Sequence, residues 1–154
     1  KAAEAPEVVQ LPGIVADLVK SQAAPVLLTT RFEEIARLFL HTRHEEIYVS
    51  TPEGDFAGAI SLHDIKPYLN DPAVAAHVIA GDLLRDDVPP VALRAPLAEA
   101  LRVFAQHAGQ TLPVVESAQG RLAGILVKND LLLALLEGRG AEKRGDTQAP
   151  WRAS

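Results

Sequence analysis

The chain has 154 residues, 48% of them hydrophobic, with 15 Lys and Arg against 20 Asp and Glu for a formal net charge of −5. That length and apolar share supply a core for one ordinary domain or two very small ones, and the absence of a basic excess or a Lys/Arg cluster argues against a nucleic-acid or anionic-membrane partner. There is no cysteine, so disulfides, thiolate metal sites and thiol nucleophiles are excluded, in keeping with a reducing compartment.

Residues 1–12 read as a flexible leading segment without the hydrophobic region of a signal peptide, and the lack of any methionine suggests a segment of a longer protein. The first structured stretch spans 13–70. It opens with a short apolar piece at 15–19, followed by an extended run at 26–28. A helix comes next: Thr30 is placed to cap it with Glu33 completing a capping box, and Phe32, Ile35, Ala36, Phe39 and Leu40 recur at helical spacing. Two strands, 47–50 and 56–61, flank the turn Pro52-Glu53-Gly54-Asp55 and read as a hairpin. A second helix begins near His63 and Asp64.

A turn at 70–73 follows, with Asp71-Pro72 able to start a short helix. The remainder, 71–138, runs through the same order again. An apolar piece at 79–84 and an extended run at 91–93 lead to a helix with Pro96 at its first position and Leu97, Ala100, Leu101, Phe104 and Ala108 as its stripe. A hairpin of 112–115 and 122–127 follows, and a helix from Asn129-Asp130 is expected to stop at Gly138. Residues 139–154 read as a flexible tail in which Trp151 is an isolated exposed aromatic. The longest apolar stretch, 131–136, is far below the roughly 20 residues of a membrane helix.

The second stretch is a copy of the first: residues 15–66 return at 80–132 with an offset of 65 that becomes 66 after an insertion at Gln119. Asp17-Leu18 pairs with Asp82-Leu83, Pro25-Val26 with Pro90-Val91, Phe39 with Phe104, Ala57-Gly58 with Ala123-Gly124, and Asp64 with Asp130. A unit of this size leaves much apolar area uncovered, so the two copies are expected to bury it against each other. His41 and His44 share a helix-end spacing but lack a third metal ligand. No nucleophile motif, phosphate-cradling glycine loop or His-Glu-x-x-His occurs, so an enzyme is not expected.

The ordered series Asp-Leu-Val/Leu, helix, Ile/Leu-Tyr/Pro-Val, turn Gly, Ala-Gly-Ala/Ile-Ile/Leu-Ser/Val and Asp resembles the CBS motif. It is present twice, as in a CBS pair (Bateman module), over residues 15–137. The run from Gly58 to Asp64, with Ile65 to Pro72 after it, is most similar to the CBS pairs at the C-terminal end of bacterial ClC-type chloride channels and transporters. The resemblance implies an α/β (α+β) fold of two β-α-β-β-α motifs about a pseudo-two-fold axis, each a small sheet packed on two helices. It further implies a cytoplasmic regulatory module for chloride transport, forming a homodimer and tethered to the membrane through a transmembrane transporter portion of the same polypeptide outside this segment.

In that family adenosine nucleotides (AMP, ADP or ATP) bind in clefts between the motifs, held by Gly-x-x-Thr/Ser-x-x-Asp. Here Ser61 and Asp64 match fully, whereas in the second motif Asp130 matches but Val127 replaces the hydroxyl. A hydroxyl at a strand end and N–H groups at a helix start can hold phosphate, and a carboxylate can accept from ribose hydroxyls. The family's crossed arrangement puts Val91, Gln110, Thr111 and Leu112 opposite Ser61 and Asp64. It puts Val26, His44 and Ile47 opposite Asp130, with Glu45 and Glu46 opposing a polyphosphate there and Lys128 offsetting part of their charge. The same two aspartates have another reading, as caps of their helices. A module with no ligand, serving structure and dimerisation, and a CBS pair of another transporter or enzyme both stay open.

Overall fold

The computed structural model describes residues 13–22, 25–116 and 120–144, with side chains through residue 138. The insertion at Gln119 and Trp151 lie outside the described residues.

In the first motif a helix, α1 (Phe32–His41), leads to an antiparallel hairpin of β1 (Glu46–Ser50) and β2 (Phe56–Ser61), and then to α2 (Leu62–Leu69). Two short helices, α3 (Pro72–Ala75) and α4 (Ala80–Leu83), connect to the second motif. There β3 (Val91–Ala92) precedes α5 (Leu97–Gln106), the hairpin of β4 (Thr111–Val115) and β5 (Leu122–Val127), and α6 (Lys128–Arg144). The expected order therefore holds, with two local differences. The extended run at 26–28 contributes only a parallel bridge between Leu27 and Ser50, whereas its counterpart forms β3, parallel to β4. The last helix continues through Gly138 to Arg144, because a glycine costs only about 1 kcal/mol in a helix interior.

The two hairpins repeat each other down to an irregularity in register, at Val49/Ser50 and again at Val114/Val115. Each helix–sheet layer has its own apolar core. Phe32, Ile35, Ile47, Val49, Ile60 and Ile65 fill the first, and Leu97, Ala100, Phe104, Leu112, Val114, Leu126 and Leu131 the second. A third cluster of Tyr48, Ala59, Val88 and Ile125 lies between the sheets. The turns also cross: Phe56 N–H donates to the Gly120 carbonyl at 2.6 Å and Leu122 N–H to that of Gly54 at 3.0 Å.

The leading segments of the two motifs are exchanged. Val15, in a short 3₁₀ turn (Val15–Asp17), is fully buried in the second core, while Val78, Ala80 and Leu83 complete the first. Backbone bonds fix the exchange symmetrically, with Val15 N–H on the Ala95 carbonyl at 2.9 Å and Ala80 N–H on that of Thr30 at 2.8 Å. Lys20 pairs with Ile125 at the edge of β5 and Arg85 with Ala59 at the edge of β2. The repeated Asp-Leu has its role here: Asp17 accepts from Ile14 N–H and Asp82 from Ile79 N–H, both at 3.0 Å, closing each leading turn. Packing thus crosses the chain boundary expected at residue 70.

The exchange also displaces the expected cap of α1. Phe32 N–H at its start donates to the Val78 carbonyl at 2.9 Å, and the Thr30 hydroxyl turns back to accept from Leu27 N–H at 2.9 Å. A tertiary partner has taken the place of the local one.

Candidate functional site

Ser61 ends β2 and is the N-cap of α2. Its hydroxyl accepts from Asp64 N–H at 3.2 Å, and the Asp64 carboxylate accepts from Ser61 N–H at 2.9 Å. This reciprocal capping box satisfies two helix-start donors, so the capping reading of Asp64 is realised in the geometry. Beside it opens a cleft of about 440 Å³ lined by Ser61 and His63 of the first motif and by His107, Gly109, Gln110 and Thr111 of the second. Glu45, Glu46 and Arg85 complete its wall.

Of the residues expected around Ser61, Gln110 and Thr111 stand where the crossed arrangement puts them. Val91 and Leu112 do not: they are 2% and 0% exposed and belong to the second apolar core, where the pleat of β3 and β4 turns them inward. Asp64 is held back by its cap and is not among the residues of the cleft wall.

The second expected grouping divides. His44 and Ile47 line a separate cavity of about 220 Å³ with Gln22, His41, Arg43, Glu46 and Ile125. Val26 is not in it, since it packs into the first core at 1% exposure. Asp130 is absent too, being paired with Lys20 at 3.1 Å. Lys20, carried in by the exchanged leading segment, therefore meets the Asp130 charge. The acidic pair is also redistributed: Glu45 lines the Ser61 cleft and Glu46 borders both cavities. Among the described residues no group of three His, Cys, Asp or Glu side chains could hold a metal ion.

Tyr48 lies between the two cavities and is 0% exposed. Its hydroxyl is 2.6 Å from that of Thr111 and 3.2 Å from Glu46 Oε1. An ionised carboxylate only accepts, so all three groups are satisfied when Thr111 donates to Tyr48 and Tyr48 donates to Glu46. Burial pushes the Tyr48 phenol well above the usual tyrosine range; the Thr111 bond opposes the shift and the Glu46 charge adds to it. On the strand itself, the Gln22 side chain accepts from Tyr48 N–H at 2.8 Å and donates to its carbonyl at 2.9 Å.

Neither Tyr48 nor Gln22 is conspicuous in the sequence. Tyr48 corresponds to Pro113 and Gln22 to Asp87, so the repeat carries no trace of them. Lys20 and Arg85 are different. Their equivalence at the 65-residue offset was there to be read, and both form the edge bridges of the exchanged segments.

Residues 80–137 match the family model described as the CBS domain. A comparison with curated proteins returns no match. Among solved structures, a CBS domain-containing protein of unknown function from Bacillus anthracis is similar with a TM-score of 0.72 at 21% identity, over 86% of this chain and 99% of that one. A CBS domain pair/ACT domain protein from Thermotoga maritima matches with a TM-score of 0.67 at 24% identity, over 81% and 98% of the two chains. CBSX2, a CBS-pair protein of Arabidopsis thaliana, solved in complex with AMP, matches with a TM-score of 0.67 at 22% identity, over 80% and 96%. The second half of the chain thus carries the CBS domain signature, and the two halves together have the fold of a CBS-domain pair.

Proposed function

We propose that this chain is a cytoplasmic regulatory module that senses an adenosine nucleotide in the cleft beside Ser61 and passes the response to an attached transporter of the ClC type. The observation that carries the reading is the make-up of that cleft: Ser61 and the start of α2 come from one motif, Gln110 and Thr111 from the other. A ligand touching both halves favours one relative arrangement of them, which is the only way binding can transmit a signal. Its volume of about 440 Å³ falls within the roughly 300–1,000 Å³ usual for small-molecule sites. CBSX2, which has the same fold, was solved with AMP.

The similarity of residues 58–72 to ClC-associated pairs supports the transporter attachment, with the module on the inner face of the membrane and the channel portion in the same polypeptide. A homodimer belongs to this reading, supported by the exposed Leu62 and Leu69 of α2 and Leu132, Leu133 and Leu136 of α6. A ligand-free structural and dimerisation module is the second reading. The satisfied capping box and the Lys20–Asp130 pair favour it, because both aspartates already have partners.

Titration with AMP, ADP and ATP, followed by melting temperature, separates the two. A ligand at 100 times its Kd adds about 2.7 kcal/mol of stability, a rise of several degrees for a chain of this size. No shift at millimolar nucleotide overturns sensing and leaves the structural reading. Because Ser61→Ala also removes a helix cap, at a cost of about 1 kcal/mol, its effect has to be read as the loss of the nucleotide-induced shift and not as a lower baseline.

A further inference from the structure

We propose that the Ser61 cleft selects a nucleoside or nucleoside monophosphate and rejects nucleoside di- and triphosphates, with Glu45 and Glu46 as the selecting residues. The inference rests on the nucleotide-sensing reading and adds to it a ligand class. Fixed charge in the cleft wall consists of two carboxylates, Glu45 and Glu46, and a single cation, Arg85. Arg85 is half exposed and its pair with Asp87, at 3.8 Å, is screened by water, so it stays available to a ligand but is outnumbered by the two carboxylates. The other polar groups of the wall include the hydroxyls and amide of Ser61, Thr111 and Gln110, which carry no charge.

Glu46 cannot easily withdraw. Its Oε1 accepts from the buried Tyr48 hydroxyl at 3.2 Å and lies 3.4 Å from the point where a Cβ on Gly109 of the second motif would stand. His107 Nε2, buried and without a hydrogen-bond partner, is 2.8 Å from that same point. The carboxylate and an unsatisfied ring nitrogen therefore converge at Gly109, where any side chain would intrude. From within the cleft a purine amino group or a sugar hydroxyl can donate to Glu46, whereas a phosphate oxygen meets like charge.

A single phosphate can pair with Arg85 in the cleft wall. Each further phosphate adds negative charge to a cleft whose wall already carries two carboxylates, Glu45 and Glu46. Glu45 is exposed and its repulsion is screened by water, so Glu46 contributes the larger share.

The test is isothermal titration of the full 154-residue chain with adenosine, AMP, ADP and ATP in magnesium-free, low-salt buffer, for the native protein and for Glu45→Gln/Glu46→Gln. The amide at 46 keeps an acceptor for Tyr48. Expected is ATP binding roughly tenfold or more weaker than AMP in the native protein, with the gap closing in the double variant while adenosine affinity holds. ATP binding as tightly as AMP overturns the selectivity and leaves nucleotide sensing in place. A gap that persists in the folded double variant overturns the role of the two glutamates. No heat from any of the four ligands overturns both the selectivity and the sensing reading.

Discussion

The hydroxyls of Tyr48 and Thr111 meet at 2.6 Å across the boundary between the two motifs, at residues 0% and 3% exposed. Around them the contact between the motifs is apolar, made by Ala59, Val88 and Ile125. The pair therefore adds a buried side-chain bond to the backbone bonds that cross between the motifs, and through Glu46 it touches both cavities.

Removing one member of this pair should cost more than removing both. Tyr48→Phe leaves the Thr111 hydroxyl buried without its partner, at about 1–3 kcal/mol, whereas the double variant with Thr111→Val removes both hydroxyls and leaves only Glu46, which lines the open cleft, without its former donor. Urea unfolding of the two single variants and the double variant should show the double closer to the native protein than the sum of the singles. Simple additivity would mean that the bond contributes nothing to holding the motifs together.

The same phenol makes stability depend on alkaline pH. In the unfolded chain it loses its proton near the ordinary value of 10, while in the fold burial keeps it protonated to higher pH. The unfolded state is then the one that releases a proton, so the stability tied to Tyr48 is complete below about pH 10 and is lost progressively above it. Melting temperatures taken from about pH 8 to about pH 11 should fall more steeply for the native protein than for Tyr48→Phe. Parallel curves would show that the phenol ionises without unfolding.

Much of this architecture is legible in the residues. The hairpins were readable because short apolar runs bracket the turns at Gly54 and Gly120, and the helices because Phe32, Ile35 and Phe39, then Leu97, Leu101 and Phe104, keep helical spacing. The exchange of leading segments was not readable. Val15 and Ala80 bond to carbonyls far away in sequence, which leaves no local period, and the Thr30-Glu33 pattern promised a cap that Val78 supplies instead. The cleft was half legible: Ser61, Gln110 and Thr111 follow from the motif, but Val91 and Leu112 are core residues whose apolar character served packing.

Gly58 and Gly124, matched in the repeat, are explained by the exchange. A Cβ on Gly58 would stand 2.4 Å from the Arg85 carbonyl oxygen, and one on Gly124 2.4 Å from that of Lys20. Backbone cannot move aside as a flexible side chain does, so either alanine forces the edge bridge open. Gly58→Ala and Gly124→Ala should each cost about 2 kcal/mol or more in chemical denaturation, with faster amide exchange at Arg85 in the first case and Lys20 in the second. A loss of less than about 0.5 kcal/mol, within the range of ordinary surface changes, would show that the leading segments are only loosely held.

Where the chain is cut should matter more than how much of it is kept. A fragment of residues 13–70 lacks Val78, Ala80 and Leu83, so the first core is left open, and it retains Val15 with nothing to pack against. A fragment of residues 25–88 is of similar length, yet it holds every buried residue of that core from Val26 to Leu83 and Arg85, whose bridge to Ala59 covers the edge of β2. Each missing aliphatic side chain is worth about 1.5–3 kcal/mol of burial, against a total stability of about 5–15 kcal/mol for an ordinary domain. The 25–88 fragment is therefore expected to show the larger dispersion of amide resonances and the higher urea midpoint, and the 13–70 fragment to be unfolded or aggregated. The opposite ranking would mean that the cores follow the repeat along the chain and that the exchanged segments are peripheral to them.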